Sequence, residues 1–308
     1  MKKLWILFIL AISSLQPCMA YSKIEIKYKI DNEIITNLDI LEEKKYLIFL
    51  RPNLKNLSEF ELSNIAENSL VRDVIKKKEL VRIFKDEENL KLISEIKKNL
   101  FRFKNVSNEN EFKNLLAKNN IIYEKIIQKM KYEAMWNELI FQKYASFVKI
   151  DELKLRQELQ KKISKNKKYE YNLSEILFEI QNNEALDNKY KEILVYADSK
   201  SFKNAAAKYS ISNSSDKGGE IGWIKETLLS ENLNKILGNM KKNEISEVIK
   251  YPNGYLILKI NDKKEMKQII DMDKELKDMI SFEQNRQLNQ FSLLFYKKLK
   301  QNIIINEY

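Results

Sequence analysis

The sequence predicts an α+β fold in which a mostly helical region, drawn from both ends of the chain, carries a smaller inserted unit of strands and helices. Three observations predict it. Residues 21–168 hold no glycine and a single proline, Pro52, so the residues that break helices are almost absent there. All five glycines of the 308-residue chain fall between positions 218 and 254, three of them in the octet "DKGGEIGW" at 216–223. Beyond that stretch the chain turns helical again and closes on Ile303-Ile304-Ile305.

The opening residues are expected to leave. Lys2 and Lys3 precede the apolar run Leu4–Leu15, and Cys18-Met19-Ala20 follows, the layout of a secretory signal peptide over 1–20 cut after Ala20. The run is shorter than the ~20 residues of a membrane span; its alternative fate is retention as an anchor. Leu15-Gln16-Pro17-Cys18 resembles a lipoprotein cleavage box, but Pro17 argues against lipidation. Cleavage would remove the only cysteine, leaving no disulfide to support the core. The chain also has no histidine, the usual proton shuttle and commonest metal ligand. No later apolar stretch is long enough to cross a bilayer, so the mature protein is expected to be soluble and exported.

Charge points the same way. The formal charge of +11 becomes +9 without Lys2 and Lys3, and the lysines are interleaved with glutamates along the chain. Such mixing marks solvated helix faces. It argues against nucleic acid as a partner and leaves weak attraction to anionic membrane surfaces or acidic clients.

Ile24, Ile26, Tyr28 and Ile30 alternate with Lys and Glu, a half-buried strand. Asp31-Asn32-Glu33 turns the chain, Ile34-Ile35 returns, and Thr36 with Asp39 forms a capping box for a helix to about Leu50. Helical patterns follow over Ser58–Phe84, Glu87–Phe101, Asn108–Asn119 and Tyr123–Val148. The last carries Ile126, Ile127, Met130, Ala134, Leu139, Ile140 and Tyr144 on one face. Asp151 begins another helix, which reaches the lysine-rich linker "KKISKNKK" at 161–168. Together these form a helical domain over 21–168.

From Tyr169 the texture changes. Tyr171, Leu173 and Ile176-Leu177-Phe178 read as a buried strand, and helices follow to Ala197 and from about Ser199. The glycine octet is a loop entering a short strand, Glu231–Leu237 is a helix, and strands at Glu247–Lys250 and Tyr255–Ile260 flank a Pro252-Asn253-Gly254 turn. A helix from about Ile269 to Lys300 carries an apolar stripe (Leu276, Ile280, Phe291, Leu294, Phe295) interrupted by Gln284 and Gln287. Alone it would leave that stripe wet. The simplest packing returns 265–308 to the first domain, with Ile303–Ile305 beside the Ile24–Ile30 strand; a free C-terminal arm is the alternative.

"YNLSEILFEI" (171–180), "SFKNAAAKYSISNSSDKGGEIGW" (201–223), "NEISEVI" (243–249) and "YPNGYLILKIND" (251–262) resemble, in order and spacing, the parvulin-type peptidyl-prolyl isomerase domain. That resemblance implies a four-stranded antiparallel sheet with surrounding helices over 169–264. With the export signal, the helical first half and "IDNEIITNLDI" (30–40), the layout is similar to the SurA-like family of periplasmic folding factors. SurA carries two parvulin units; this chain has room for one. Within the resemblance, the glycines permit the tight loop into the central strand, and Asn243 stands where the family usually has glycine.

An active parvulin lowers the ~18–20 kcal/mol barrier to rotation about X–Pro without covalent chemistry. The family's polar cluster contains two histidines and a Cys or Asp. The resemblance places those positions on Glu175, Leu256 and Ser212, so neither histidine is present. The apolar side is kept: Ile221, Leu229 and Leu233 fall on the positions that line the proline pocket, with Trp223 beside them as groove lining or core. Glu175 has two readings. A carboxylate in a partly apolar cleft acts as a hydrogen-bond donor when its pKa is raised, or it is a rim residue left after catalysis ceased to matter. No catalytic residue is assigned, and whether the chain is an enzyme stays open.

No cofactor, metal or nucleotide is expected. Nothing reads GxxxxGKS or GxxxxGKT, carboxylates are scattered, and every serine lacks the histidine of a hydrolase triad. The expected function is that of an ATP-independent periplasmic folding factor binding unfolded outer-membrane or secreted proteins. The alternatives are a working isomerase aided by Glu175 or Ser212, and an interaction protein anchored at the inner membrane by Leu4–Leu15.

Overall fold

In the computed structural model, residues 23–84, 90–163, 168–180, 184–252, 254–266 and 271–308 are described. The expected signal segment with Cys18, Glu87 at a predicted helix start, positions 164–167 of the linker, Asn253 and Ile269 lie outside them.

The chain begins with β1 (Ile26–Ile30) and β2 (Glu33–Thr36), an antiparallel hairpin in which Ile30 faces Glu33. Asp31 sits at φ 50°, a left-handed conformation that a short polar side chain tolerates. The capping box at Thr36 is present: its hydroxyl accepts from the Asp39 N–H, and the Asp39 carboxylate accepts from the Thr36 N–H at 2.8 Å. It opens α1 (Asn37–Leu50). The helices α2 (Glu59–Phe84), α3 (Leu90–Lys104), α4 (Glu109–Lys118), α5 (Tyr123–Tyr144) and α6 (Glu152–Ile163) follow. Leu47, Leu54, Ile75, Phe112 and Leu116 are buried at their centre, with the Phe112 ring meeting Phe49, Phe101 and Tyr123.

The inserted unit holds β3 (Tyr169–Phe178), α7 (Leu186–Ser199), α8 (Phe202–Tyr209), a 3-10 turn (Asn213–Lys217), β4 (Glu220–Lys225), α9 (Glu231–Asn239), β5 (Ile249–Tyr251) and β6 (Gly254–Glu265). Its strands form an antiparallel sheet in the order β4-β3-β6-β5. Alternation along β3 and β6 divides the sheet into two greasy faces. Ile176, Phe178 and Ile257 lie under α7 and α8, while Tyr171, Leu173, Leu177, Leu256 and Leu258 pack with Ile224, Leu229 and Leu237 on the other side. β6 runs five residues past the predicted Ile260, because the charged "NDKKE" pairs with the start of β3: Glu170 stands opposite Lys264 and the two form a 2.9 Å ion pair.

The last elements are α10 (Met272–Gln301) and β7 (Ile305–Glu307). β7 joins the first sheet beside β1, Ile30 facing Ile305, two residues later than predicted. The far half of α10 is anchored by Trp136, whose ring stacks on Phe295 and whose Nε1 donates to Ser292 Oγ at 2.9 Å. The near half is held by the sheet unit instead. Lys225 Nζ reaches Glu275 at 2.6 Å and Asp278 at 2.9 Å, and Leu276 and Met279 pack on Leu159 of α6. Gln287, one of the two breaks in the apolar stripe, makes paired bonds to the Lys149 N–H (3.0 Å) and C=O (2.9 Å). α10 thus spans both regions.

A second contact joins them directly. Arg51 Nη1 donates to the Ser215 carbonyl at 2.8 Å, Arg72 pairs with Asp216, and Asn53 donates to Asn204 at 2.7 Å. Asp216 is the first residue of the glycine octet. Among the described residues no helix is long and apolar enough to cross a membrane.

Candidate functional site

Period-two alternation puts Leu173, Glu175 and Leu177 on one face of β3, with Leu258 opposite Glu175 and Leu256 opposite Leu177. This face floors a cleft of about 800 Å³. Ile221 and Ile224 of β4 and the Leu228–Leu233 segment form one wall; Leu155 of α6 and Met279, Phe282 and Leu293 of α10 form the other. The cleft is therefore shared between the sheet unit and the two helices that flank it.

Glu175 is the charged member of that leucine floor, and its surroundings explain how it is tolerated. Ser212 Oγ donates to Glu175 Oε1 at 2.5 Å and Ser214 Oγ donates to the same oxygen at 2.8 Å. Both serines belong to the 3-10 turn region, which Ser212 caps by accepting from the Ser214 N–H at 3.3 Å. The backbone is tied as well, since the Glu175 N–H donates to the Gly219 carbonyl at 2.8 Å. Gly219 sits at φ 77°, and a Cβ there would lie 2.3 Å from the Glu175 carbonyl oxygen and 2.9 Å from Ala206 Cβ. Only glycine lets the octet lie this close to β3. Asn243, at φ 70°, adopts the left-handed conformation expected of a residue standing in for glycine.

Leu256 is buried on the same face, so an aliphatic side chain stands where a polar ring would close a hydrogen-bonded cluster. The cleft brings together Glu175, Ser212, Leu256, Ile221, Leu229 and Leu233. Trp223 is a correction: it does not line the cleft. β4 bulges at Ile221, which has no partner between the pairs Leu173↔Gly222 and Ser174↔Glu220. The bulge turns Ile221 toward the cleft, while Trp223, opposite Asn172, lies on the other face. There it is 43% exposed under the Lys264 ammonium, 4.2 Å from its ring, and so is neither core nor groove lining.

Several lining residues escaped the sequence reading. Ser214 was visible only as part of "SNSS". Phe282 and Leu293 lie off the stripe read for the last helix: Leu276 and Ile280 of that stripe pack with α6, Phe291 and Phe295 meet α5, and Phe282 and Leu293 face the sheet. On the same helix, Glu283 and Arg286 form a paired contact at 2.6–2.7 Å at the cleft rim. Burial pushes the Glu283 carboxyl up, but the Arg286 guanidinium outweighs it and holds it below the usual range. Burial together with the nearby Glu226 charge pushes the hydroxyl of Tyr171, in the core beneath the sheet face, up to about 12, so it stays neutral.

Chemically, the site offers an apolar trough lined also by charged side chains of both signs, a floor carboxylate tied by two hydroxyls and, in a chain without histidine, no imidazole to shuttle protons.

Residues 175–262 match the rotamase family of PPIC-type PPIase domains. The chain is 26% identical to the chaperone SurA of Pseudomonas putida over 165 residues, half of this chain and 38% of that protein. It is 29% identical to the periplasmic chaperone PpiD of Buchnera aphidicola subsp. Schizaphis graminum, over 89% of this chain and 45% of the relative. It is 33% identical to the foldase protein PrsA 1 of Bacillus cereus, over 38% of this chain and 40% of the relative. The chain thus spans less than half the length of these curated relatives. A solved structure described as SurA-like, from Campylobacter jejuni, covers 92% of this chain and 98% of its own at 18% identity, with a TM-score of 0.37.

Proposed function

Starting from a PPIC-type parvulin domain at residues 175–262, we propose that this chain is an ATP-independent folding factor of the periplasm that holds unfolded outer-membrane or secreted polypeptides. The observation that carries the reading is the shape and lining of the cleft. Its volume of about 800 Å³ exceeds what one proline ring fills, and lies in the ~300–1,000 Å³ range of sites that take a ligand of several side chains. Its walls come from β4, α6 and α10 as well as the sheet, so a bound segment touches both regions at once. The polar half of an isomerase site is missing, with Leu256 in place of a donor and no histidine in the chain. Extended segments would gain apolar burial against the leucine floor, and lysines around the body keep the complex dispersed.

The test is suppression of aggregation. The purified chain beginning at Tyr21 is expected to delay aggregation of a denatured β-barrel protein at near-stoichiometric amounts, and Ile221→Asp should abolish much of the effect. Absence of any delay removes the reading. A proline-peptide isomerisation assay run alongside is expected to give the uncatalysed rate; a real rate that Leu229→Ala abolishes would favour the isomerase alternative. Mass spectrometry of the exported chain, with Tyr21 as its first residue, decides between a cleaved signal and an anchor.

A further inference from the structure

The carboxylate in the cleft floor is held by the protein on one oxygen. Both serine hydroxyls converge on Glu175 Oε1, at 2.5 and 2.8 Å, and among the described residues no donor bonds its second oxygen. Among the described residues no cation lies within 4.0 Å of it, although the chain carries a formal charge of +11. Lys217, on the neighbouring turn, lines the same cleft and makes no ion pair with it. Leu173 and Leu177 flank Glu175 along β3, and Leu258 faces it across the sheet. Two hydroxyls fix its position and leave one lone-pair set directed at whatever enters.

We propose that Glu175 reads a cationic side chain on the bound segment, so that the cleft prefers extended chains with a lysine or arginine within two positions of an aliphatic residue. This rests on the cleft being the client site proposed above. The spacing follows from the floor. Successive same-face rows of a strand lie about 6.5–7 Å apart, so a segment running along β3 that seats an aliphatic side chain on the Leu177↔Leu256 row brings the side chain two positions away over Glu175. A cation there makes a charge-assisted hydrogen bond at a partly desolvated site, where such contacts are strongest. An acidic residue at the same place meets a like charge. The inference assigns Glu175 a role in choosing the segment, with no part in bond rotation.

The test uses the full chain from Tyr21 and three labelled alanine-based peptides that differ only in the central triplet: Lys-Ala-Leu, norleucine-Ala-Leu and Glu-Ala-Leu. By fluorescence anisotropy at low salt, the lysine peptide is expected to bind about tenfold more tightly than the norleucine peptide, and the glutamate peptide more weakly than both. Glu175→Gln, which keeps an oxygen for Ser212 and Ser214, should bring the lysine peptide down to the affinity of the norleucine peptide. Added salt should narrow the wild-type preference. Equal affinity for the lysine and norleucine peptides overturns the inference, as does a loss in Glu175→Gln that is the same for both. If none of the peptides binds and the aggregation assay also fails, the client-site reading falls; if the norleucine peptide binds and no charge preference exists, only the role of Glu175 falls.

Discussion

Replacing Asp216 by alanine should loosen the hold of the helical region on the sheet unit by about 2 kcal/mol. Asp216 pairs with Arg72, and Arg51 lies beside it with only 7% of its surface exposed, giving Nη1 to the Ser215 carbonyl while its Nε has no partner among the described residues. Removing the carboxylate leaves two guanidinium groups facing each other across a contact that no longer neutralises them. Breaking one side of a fully buried pair costs about 3–5 kcal/mol. Here the Asp216 side chain keeps 43% of its surface and Arg72 23%, so solvent screens part of that loss and about 2 kcal/mol is the appropriate magnitude. Amide hydrogen exchange read along α5 and along β3 as urea is raised follows the two regions separately. In the parent the two transitions should nearly coincide; in Asp216→Ala they should separate. Burial pushes the Asp216 carboxyl up, but Arg72 and then Arg51 outweigh it and hold its pKa below the ordinary 3.8. The group's folded value is depressed, so its contribution is present above the unfolded value and is lost as pH falls below about 3.8 toward the folded one. Unchanged transitions, together with a near-zero coupling between Asp216→Ala and Arg72→Met, would refute the reasoning.

Other outcomes follow from single contacts. Gly219→Ala should cost more than about 3 kcal/mol in urea melts, since it adds a Cβ clash with backbone to a strained φ. Gly222→Ala, at φ 89° with nothing within 4 Å of the added atom, should cost only about 1 kcal/mol. Trp136→Phe strands the buried Ser292 hydroxyl and should cost about 1–3 kcal/mol, read as a lower urea midpoint. A chain ended at Asn302 loses the partly buried Ile303 and Ile305 against the first core and should be about 2 kcal/mol less stable, with faster amide exchange along β1.

Part of this was written locally. The Thr36–Asp39 box depends on neighbours in sequence and appears where it was read, whereas the strand read from Ile24 begins at Ile26, with both isoleucines exposed and only Ile30 of the four alternating positions fully buried. What escaped depends on distant partners. Nothing in "GEIGW" announces that β4 bulges at Ile221 and sends Trp223 to the opposite face, because the bulge is defined only against β3. The charged "NDKKE" reads as a loop until Glu170 supplies the opposite charge across the sheet. Phe282 and Leu293 belong to a second face of α10, and a single amphipathic stripe does not reveal a helix with two neighbours. At the site, Glu175, Ser212 and Leu256 were found by position, whereas Ser214 and the second carboxylate oxygen required coordinates.

The pairing of β1 with β7 joins residue 30 to residue 305. Ribosomes deliver a chain from its N-terminus, so one edge of β1 stays uncovered until β7 has been made. In that interval Ile30 and its neighbours offer an open template to any strand nearby. A protein assembled this way passes through the same exposed condition as the polypeptides it is proposed to shelter.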